Sequence, residues 1–140
     1  MKKLLYLFLA ITFISCSDDD SESNTPFLTQ YNDVIWVETY DETTDYWLIF
    51  ETNGVTEGKR YDDGSEEYCD SEFNGWGSGP CPINIIDNSR DLLVAESECE
   101  GVVYTVTFTV TNSGNTLTAV YSDETGYSEV YVRRNSVPCQ

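Results

Sequence analysis

The stretch Val102-Val103-Tyr104-Thr105-Val106-Thr107-Phe108-Thr109-Val110-Thr111 decides the fold class. Its even positions are Val, Tyr, Val, Phe and Val, and after Val103 every odd position is Thr. That is a period of two, with one face to bury and one to wet. Every residue is β-branched or aromatic, the types that suit a pleated surface. Working outward, Asn112-Ser113-Gly114-Asn115 is a four-residue turn, and Thr116 to Ser122 returns with Leu117, Ala119 and Tyr121 on one face. Asp123-Glu124-Thr125-Gly126 turns again and Tyr127 to Arg134 follows, so three strands form an antiparallel meander.

The earlier half uses the same grammar less cleanly. Val34 to Tyr40 reads as a strand, Asp41 to Asp45 as a polar loop, and Tyr46 to Thr52 as a strand stopped by Asn53-Gly54, a strong hairpin signal. Val55 to Tyr61 resumes, Asp62-Asp63-Gly64 turns, and Glu66 to Cys69 reads as a short strand. Asp70 to Cys81 holds Gly75, Gly77, Gly79 and Pro80 and reads as a long loop. Pro82 to Ile86 and Leu92 to Cys99 are strands joined across Asn88-Ser89. No helical spacing extends over ten residues. The expectation is an all-β single domain over 27–140: an antiparallel up-and-down barrel of about eight strands, with a β-sandwich as the alternative. A closed barrel removes the edges that would otherwise template aggregation.

The first twenty-six residues read as an address and a tether. Lys2 and Lys3 precede an apolar run from Leu4 to Ile14, too short for a membrane span of roughly 20 residues and suited to a secretory signal over 1–15. The run ends at Phe13-Ile14-Ser15-Cys16, which resembles a bacterial lipobox, with Cys16 as the residue that is lipidated and becomes the N-terminus. Ser17-Asp18-Asp19-Asp20 is similar to the surface-export signal of lipoproteins in Bacteroidetes-type bacteria. Residues 16–26 carry nothing that buries apolar area and read as a disordered acidic tether. Acyl chains, at about 0.8 kcal/mol per buried CH₂, would supply the anchorage.

Several further features accompany that address. They are Trp36 in the first strand, Phe50-Glu51-Thr52-Asn53-Gly54 at the first hairpin, and Cys69 and Trp76 mid-chain. The terminal meander carries Gly114-Asn115-Thr116-Leu117-Thr118 and ends in Val130-Tyr131-Val132-Arg133-Arg134. Together, over residues 30–135, they resemble the small lipocalin-like lipoproteins of Bacteroidetes-type bacteria. The resemblance implies a lipocalin-like barrel binding a small apolar or carbohydrate ligand, anchored to the outer membrane and facing outward. It also implies that Arg133 or Arg134 packs over Trp36; Val34 stands where lipocalins carry Gly. The rival reading is a cell-surface interaction module without a cavity: an adhesin, a polysaccharide-capture accessory or an inhibitor of an exported enzyme.

Charge and composition exclude other classes. The chain has 25 Asp+Glu, 7 Lys+Arg and no His, for a formal charge of −18. Without residues 1–15, which hold two Lys and no acid, it is −18 − 2 = −20 over 125 residues. So acidic a chain does not bind nucleic acid through phosphates. Without His there is no Ser-His-Asp triad, Cys-His pair or His-ligated zinc, so the chain reads as a non-enzyme without metal or cofactor. The carboxylates around Cys69 (Asp62, Asp63, Glu66, Glu67, Asp70 and Glu72) read as a solvated acidic face. Paired carboxylates for glycoside hydrolysis and calcium held by loop tips are the alternatives.

Besides Cys16 there are Cys69, Cys81, Cys99 and Cys139, an even count that implies two disulfides in an exported chain. The local pairing Cys69–Cys81, leaving Cys99–Cys139, is preferred, although Cys81 and Cys99 also lie nearly opposite across the Asn88-Ser89 hairpin. Trp36, Trp47, Phe50, Tyr104 and Phe108 are expected to pack the core. Phe73 and Trp76, in the Gly-rich segment, are expected either to stack on a ligand at the barrel mouth or to fold down and plug it. Phe73, Trp76, Trp36 and Tyr104 are the ligand-binding candidates, on a monomer.

Overall fold

The structure, a computed structural model, describes residues 24–122 and 126–139. Cys16, Ser17, Asp18, Asp19 and Asp20 lie outside the described residues, as does most of the Asp123-Glu124-Thr125-Gly126 turn.

A four-residue helix, α1 (Phe27–Gln30), is followed by nine strands. They are β1 (Ile35–Thr39), β2 (Thr44–Glu51), β3 (Gly54–Asp62), β4 (Glu67–Gly75), β5 (Ile83–Asn88), β6 (Leu92–Cys99), β7 (Val102–Thr111), β8 (Thr116–Tyr121) and β9 (Ser128–Arg134). All belong to one sheet in the order β4-β3-β2-β1-β9-β8-β7-β6-β5, curled into a half-barrel. The expected terminal meander is β7-β8-β9, and β1 pairs antiparallel with β9, so the first and last strands meet.

The seam lies between β4 and β5. Every neighbouring pair in the ladder is antiparallel, and nine is odd, so β4 and β5 run the same way and no hairpin can join them. Segment 76–82 carries the chain across. The stagger of the ladder brings the end of β4 to the start of β5, where a parallel bridge Trp76–Ile83 forms. The Gly77 N–H also donates to the Ile83 carbonyl at 2.7 Å. The two free edges are blunted: β4 carries Glu67, Asp70 and Glu72, and β5 has a bulge between Ile85 and Asp87.

One correction concerns β4. The expected short strand over Glu66 to Cys69 and long loop from Asp70 form a nine-residue strand, Glu67–Gly75, paired with β3 along its whole length. Its residues are mostly exposed, so no burial pattern marks it. A second correction concerns the cysteines. The bridges are Cys69–Cys139, with Cα atoms 5.9 Å apart, and Cys81–Cys99, at 4.8 Å, not the local pairing. Cys69 lies mid-ladder opposite Arg60, which separates it from Cys81, while Cys81 faces Cys99 across the β5–β6 hairpin.

The core occupies one end of the half-barrel. The inner face supplies Trp36, Leu48, Phe50, Val55, Leu93, Phe108, Val110, Leu117, Ala119 and Tyr131. Helix α1 plugs this end with Phe27, Leu28 and Tyr31. Edge-to-face rings link it together: Phe27 to Tyr31 at 4.9 Å and to Phe50 at 5.2 Å, Phe50 to Phe108 at 5.0 Å, and Tyr31 to Trp36 at 5.8 Å. The plug is tied to the β5–β6 turn. The Phe27 N–H donates to the Ser89 carbonyl (2.8 Å), the Leu28 N–H to Asn88 Oδ1 (3.0 Å), and the Tyr31 hydroxyl to Asp91 Oδ1 (2.7 Å). Burial, and then that bond to Asp91, push the Tyr31 phenol up to about 12.

Candidate functional site

The other end is open. There β6, β7, β8 and β9 run past the core, and alternation no longer means burial. In β7, Phe108 and Val110 are buried while Val102, Val103 and Tyr104 are exposed. A cavity of about 440 Å³ opens among these overhanging ends, within the roughly 300–1,000 Å³ of small-molecule sites. Ile83, Ala95 and Val106 form its apolar floor, and Tyr104, Tyr121 and Tyr127 stand around it. The register explains the grouping. Ile83, Ser97 and Tyr104 lie opposite one another across β5, β6 and β7, and Ala95, Val106 and Tyr121 across β6, β7 and β8, so two adjacent inward rows meet at the cavity. The Tyr121 and Tyr127 rings lie 5.8 Å apart and tilted.

Glu129 closes the β9 side of the cavity. Its Oε2 accepts hydrogen bonds from the Tyr121 hydroxyl at 2.7 Å and the Tyr131 hydroxyl at 2.6 Å. Burial raises both phenols, and the carboxylate that accepts their protons raises them further. Two more carboxyl groups come within reach of its charge, Glu38 on β1, the strand beside β9, and Glu57 on β3. Each carboxyl is held above its ordinary range, first by burial and then by the charge of Glu129. Glu38 Oε2 is buried without a hydrogen-bond partner. The nearby cation on the inner face is Lys59, whose ammonium stands 5.4 Å from the Tyr46 ring centroid and 5.8 Å from that of Tyr61.

The candidates from sequence do not converge. Tyr104 lines the cavity, 53% exposed. It was expected in the core, but its strand outlasts the core at the open end. Trp36, offered as a ligand contact, is fully buried in the core beside Tyr31, so it has no surface to offer. Arg133 sits opposite Trp36 in the β1–β9 ladder, but the cation–π contacts among the described residues are those of Lys59. Trp76 folds down: it packs against the core cluster and its indole N–H donates to the Glu51 carbonyl at 3.2 Å. Phe73 lies over Gly54, where any Cβ would overlap its ring, and stays 48% exposed. Neither Phe73 nor Trp76 lines the cavity.

Comparison with known proteins finds no match: no family model, no curated protein and no solved structure.

Two acidic loops fold onto their own chain. Asp41 Oδ1 accepts from the Thr43 hydroxyl and N–H, and Asp63 Oδ1 from the Ser65 hydroxyl and the Ser65 and Glu66 N–H groups, which hold both carboxyls below their ordinary range. Among the described residues no group of three or more His, Cys, Asp or Glu is placed to hold a metal ion. Glu38, Glu57, Glu129 and Tyr127 are not among the site residues read from sequence, and Tyr121 is placed there only on one face of its strand. The available signal was phase: Glu57 follows inward Val55 by two, and Glu129 precedes inward Tyr131 by two. A charge in the inward phase of a strand asks for a partner.

Proposed function

We propose that this chain is a lipoprotein anchored to the outer membrane through Cys16. Ser17 to Asp20 display it outward, and its lipocalin-like domain binds a small apolar or carbohydrate ligand at the open end of the half-barrel. The cavity over Ile83, Ala95 and Val106 carries the reading, because the far end of the same barrel is filled by α1. Apolar floor and tyrosine rim suit a ligand with an apolar face and a few polar groups. The two disulfides fit an oxidising compartment. The tether would join at Phe27, in the plugged end, so the mouth would face away from the membrane.

Native mass spectrometry of the intact protein from its own host tests both halves. The expected result is a co-purified small-molecule mass and an acylated N-terminal peptide starting at Cys16. Ser97→Trp, which fills the mouth, should remove the co-purified mass and leave the acylation. An unmodified Cys16 refutes the anchor; an empty cavity with no adduct in the native protein counts against the binding reading.

A further inference from the structure

The mouth carries a charge as well as a shape. Glu129 stands beside Tyr121 and Tyr127, and its Oε2 accepts the hydroxyl protons of Tyr121 and Tyr131. Glu38 on β1 and Glu57 on β3 are each close enough to feel its charge. The titratable and charged groups of this cavity, of its surroundings and of a second cleft lined by Glu57 are drawn from several strands. They are Glu38 on β1, Tyr46 on β2, Glu57 and Lys59 on β3, Asp70 and Glu72 on β4, Tyr104 on β7, Tyr121 on β8, Tyr127 just before β9, and Glu129 and Tyr131 on β9. Five are carboxyl groups and one is an amine, and the amine is held over the rings of Tyr46 and Tyr61.

We infer that the cavity selects amphiphiles with a cationic head, an ammonium group on an apolar or aromatic body, over those with a carboxylate head. The inference rests on the binding reading above and narrows its ligand class. An apolar body fits over Ile83, Ala95 and Val106, which places the head at the Tyr121–Tyr127–Glu129 rim. There an ammonium meets the faces of tyrosine rings and the carboxylate of Glu129. A carboxylate head of equal size meets that same carboxylate in a partly desolvated site, with Glu38 and Glu57 adding to the repulsion. Tyr121 and Tyr131 cannot relieve it, since their hydroxyl protons are committed to Glu129. The acidity of the whole chain, −18, acts in the same direction on approach.

Three matched water-soluble probes test this: phenethyltrimethylammonium, 3-phenylpropanol and 3-phenylpropionate. They would be titrated calorimetrically into the full chain, purified from its host and carried in phosphatidylcholine nanodiscs. The ammonium should bind about tenfold or more tightly than the carboxylate, with the alcohol between them. Glu129→Gln, which keeps an oxygen to accept the phenol protons, should shrink that ratio several-fold. Glu38→Gln should shrink it less and stands in if the first variant fails to fold. Binding of the alcohol with no preference for the ammonium overturns the inference and leaves the binding reading standing. Binding of none of the three overturns both.

Discussion

Trp47 and Gly58 show how one missing side chain shapes a surface. Trp47 points to the outer face of the sheet, away from the core cluster, yet is only 4% exposed. Gly58 lies directly across the β2–β3 ladder, where a Cβ would overlap the indole. Glycine in a strand costs roughly 0.5–1 kcal/mol relative to Ala through its freedom in the unfolded chain, so here it serves as floor space for the ring. Gly58→Ala should therefore destabilise the fold by about 1–3 kcal/mol in urea unfolding, although Ala is the better strand residue. A variant as stable as the parent would mean that the indole has room to move aside.

The roof over Trp47 is an element. After β9 the chain turns back, and Val137 and Cys139 line the same outer cleft as Trp47, Ile49 and Cys69. The Cys69–Cys139 bridge pins this tail and closes a loop with a separation of 70 residues, which loop entropy values at about 4 kcal/mol. The Cys81–Cys99 bridge spans only 18 residues, about 3 kcal/mol, and staples a hairpin already in register. Replacing Cys69 and Cys139 together by Ser should lower stability by about 2–4 kcal/mol and red-shift tryptophan emission as the tail lifts from Trp47. Unchanged emission would place the tail on the sheet without the bridge. The tail's path was not legible in the sequence, because pairing depends on which strands face one another across the whole barrel. The strands of the second half were legible, since Val102 to Thr111 alternates and Leu92 to Cys99 is bounded by turns. Strand β4 was not: Glu67-Tyr68-Cys69-Asp70-Ser71-Glu72 has no apolar phase, and its conformation comes from β3 beside it. The mouth was legible only at Tyr104, because its carboxylates cross-couple between strands distant in sequence.

At the scale of the molecule, the half-barrel is polarised between a stacked aromatic end and an acidic open end, and pH acts on the two ends differently. Glu38 and Glu57 have carboxyls raised above the ordinary 4.5, first by burial and then by Glu129, with Glu72 adding to the shift at Glu57. A group that binds its proton more tightly when folded contributes stability that is fully present below its unfolded pKa. That contribution is lost as pH rises through the folded pKa. Between neutrality and about 4.5 the fold should therefore gain stability on acidification, and relief of net negative charge adds to the gain. The opposite sign holds for Asp41 and Asp63, whose carboxyls are depressed by hydrogen bonds from Thr43 and Ser65. Their contribution disappears as pH falls below the ordinary 3.8. At the alkaline side Tyr31, raised from 10.0 to about 12, stabilises up to the ordinary phenol range and loses that contribution as pH climbs from 10.0 towards about 12. Scanning calorimetry should thus place the highest Tm in mild acid, not between pH 5 and 8 as in most proteins. Glu57→Gln should raise Tm at pH 7 and flatten the acid-side gain, since the amide removes the group that neutral pH forces to ionise. A Tm that falls steadily from pH 7 to pH 5 in the parent would show that these carboxylates have solvent or partners enough to stay charged, and that the open end is wetter than its packing indicates.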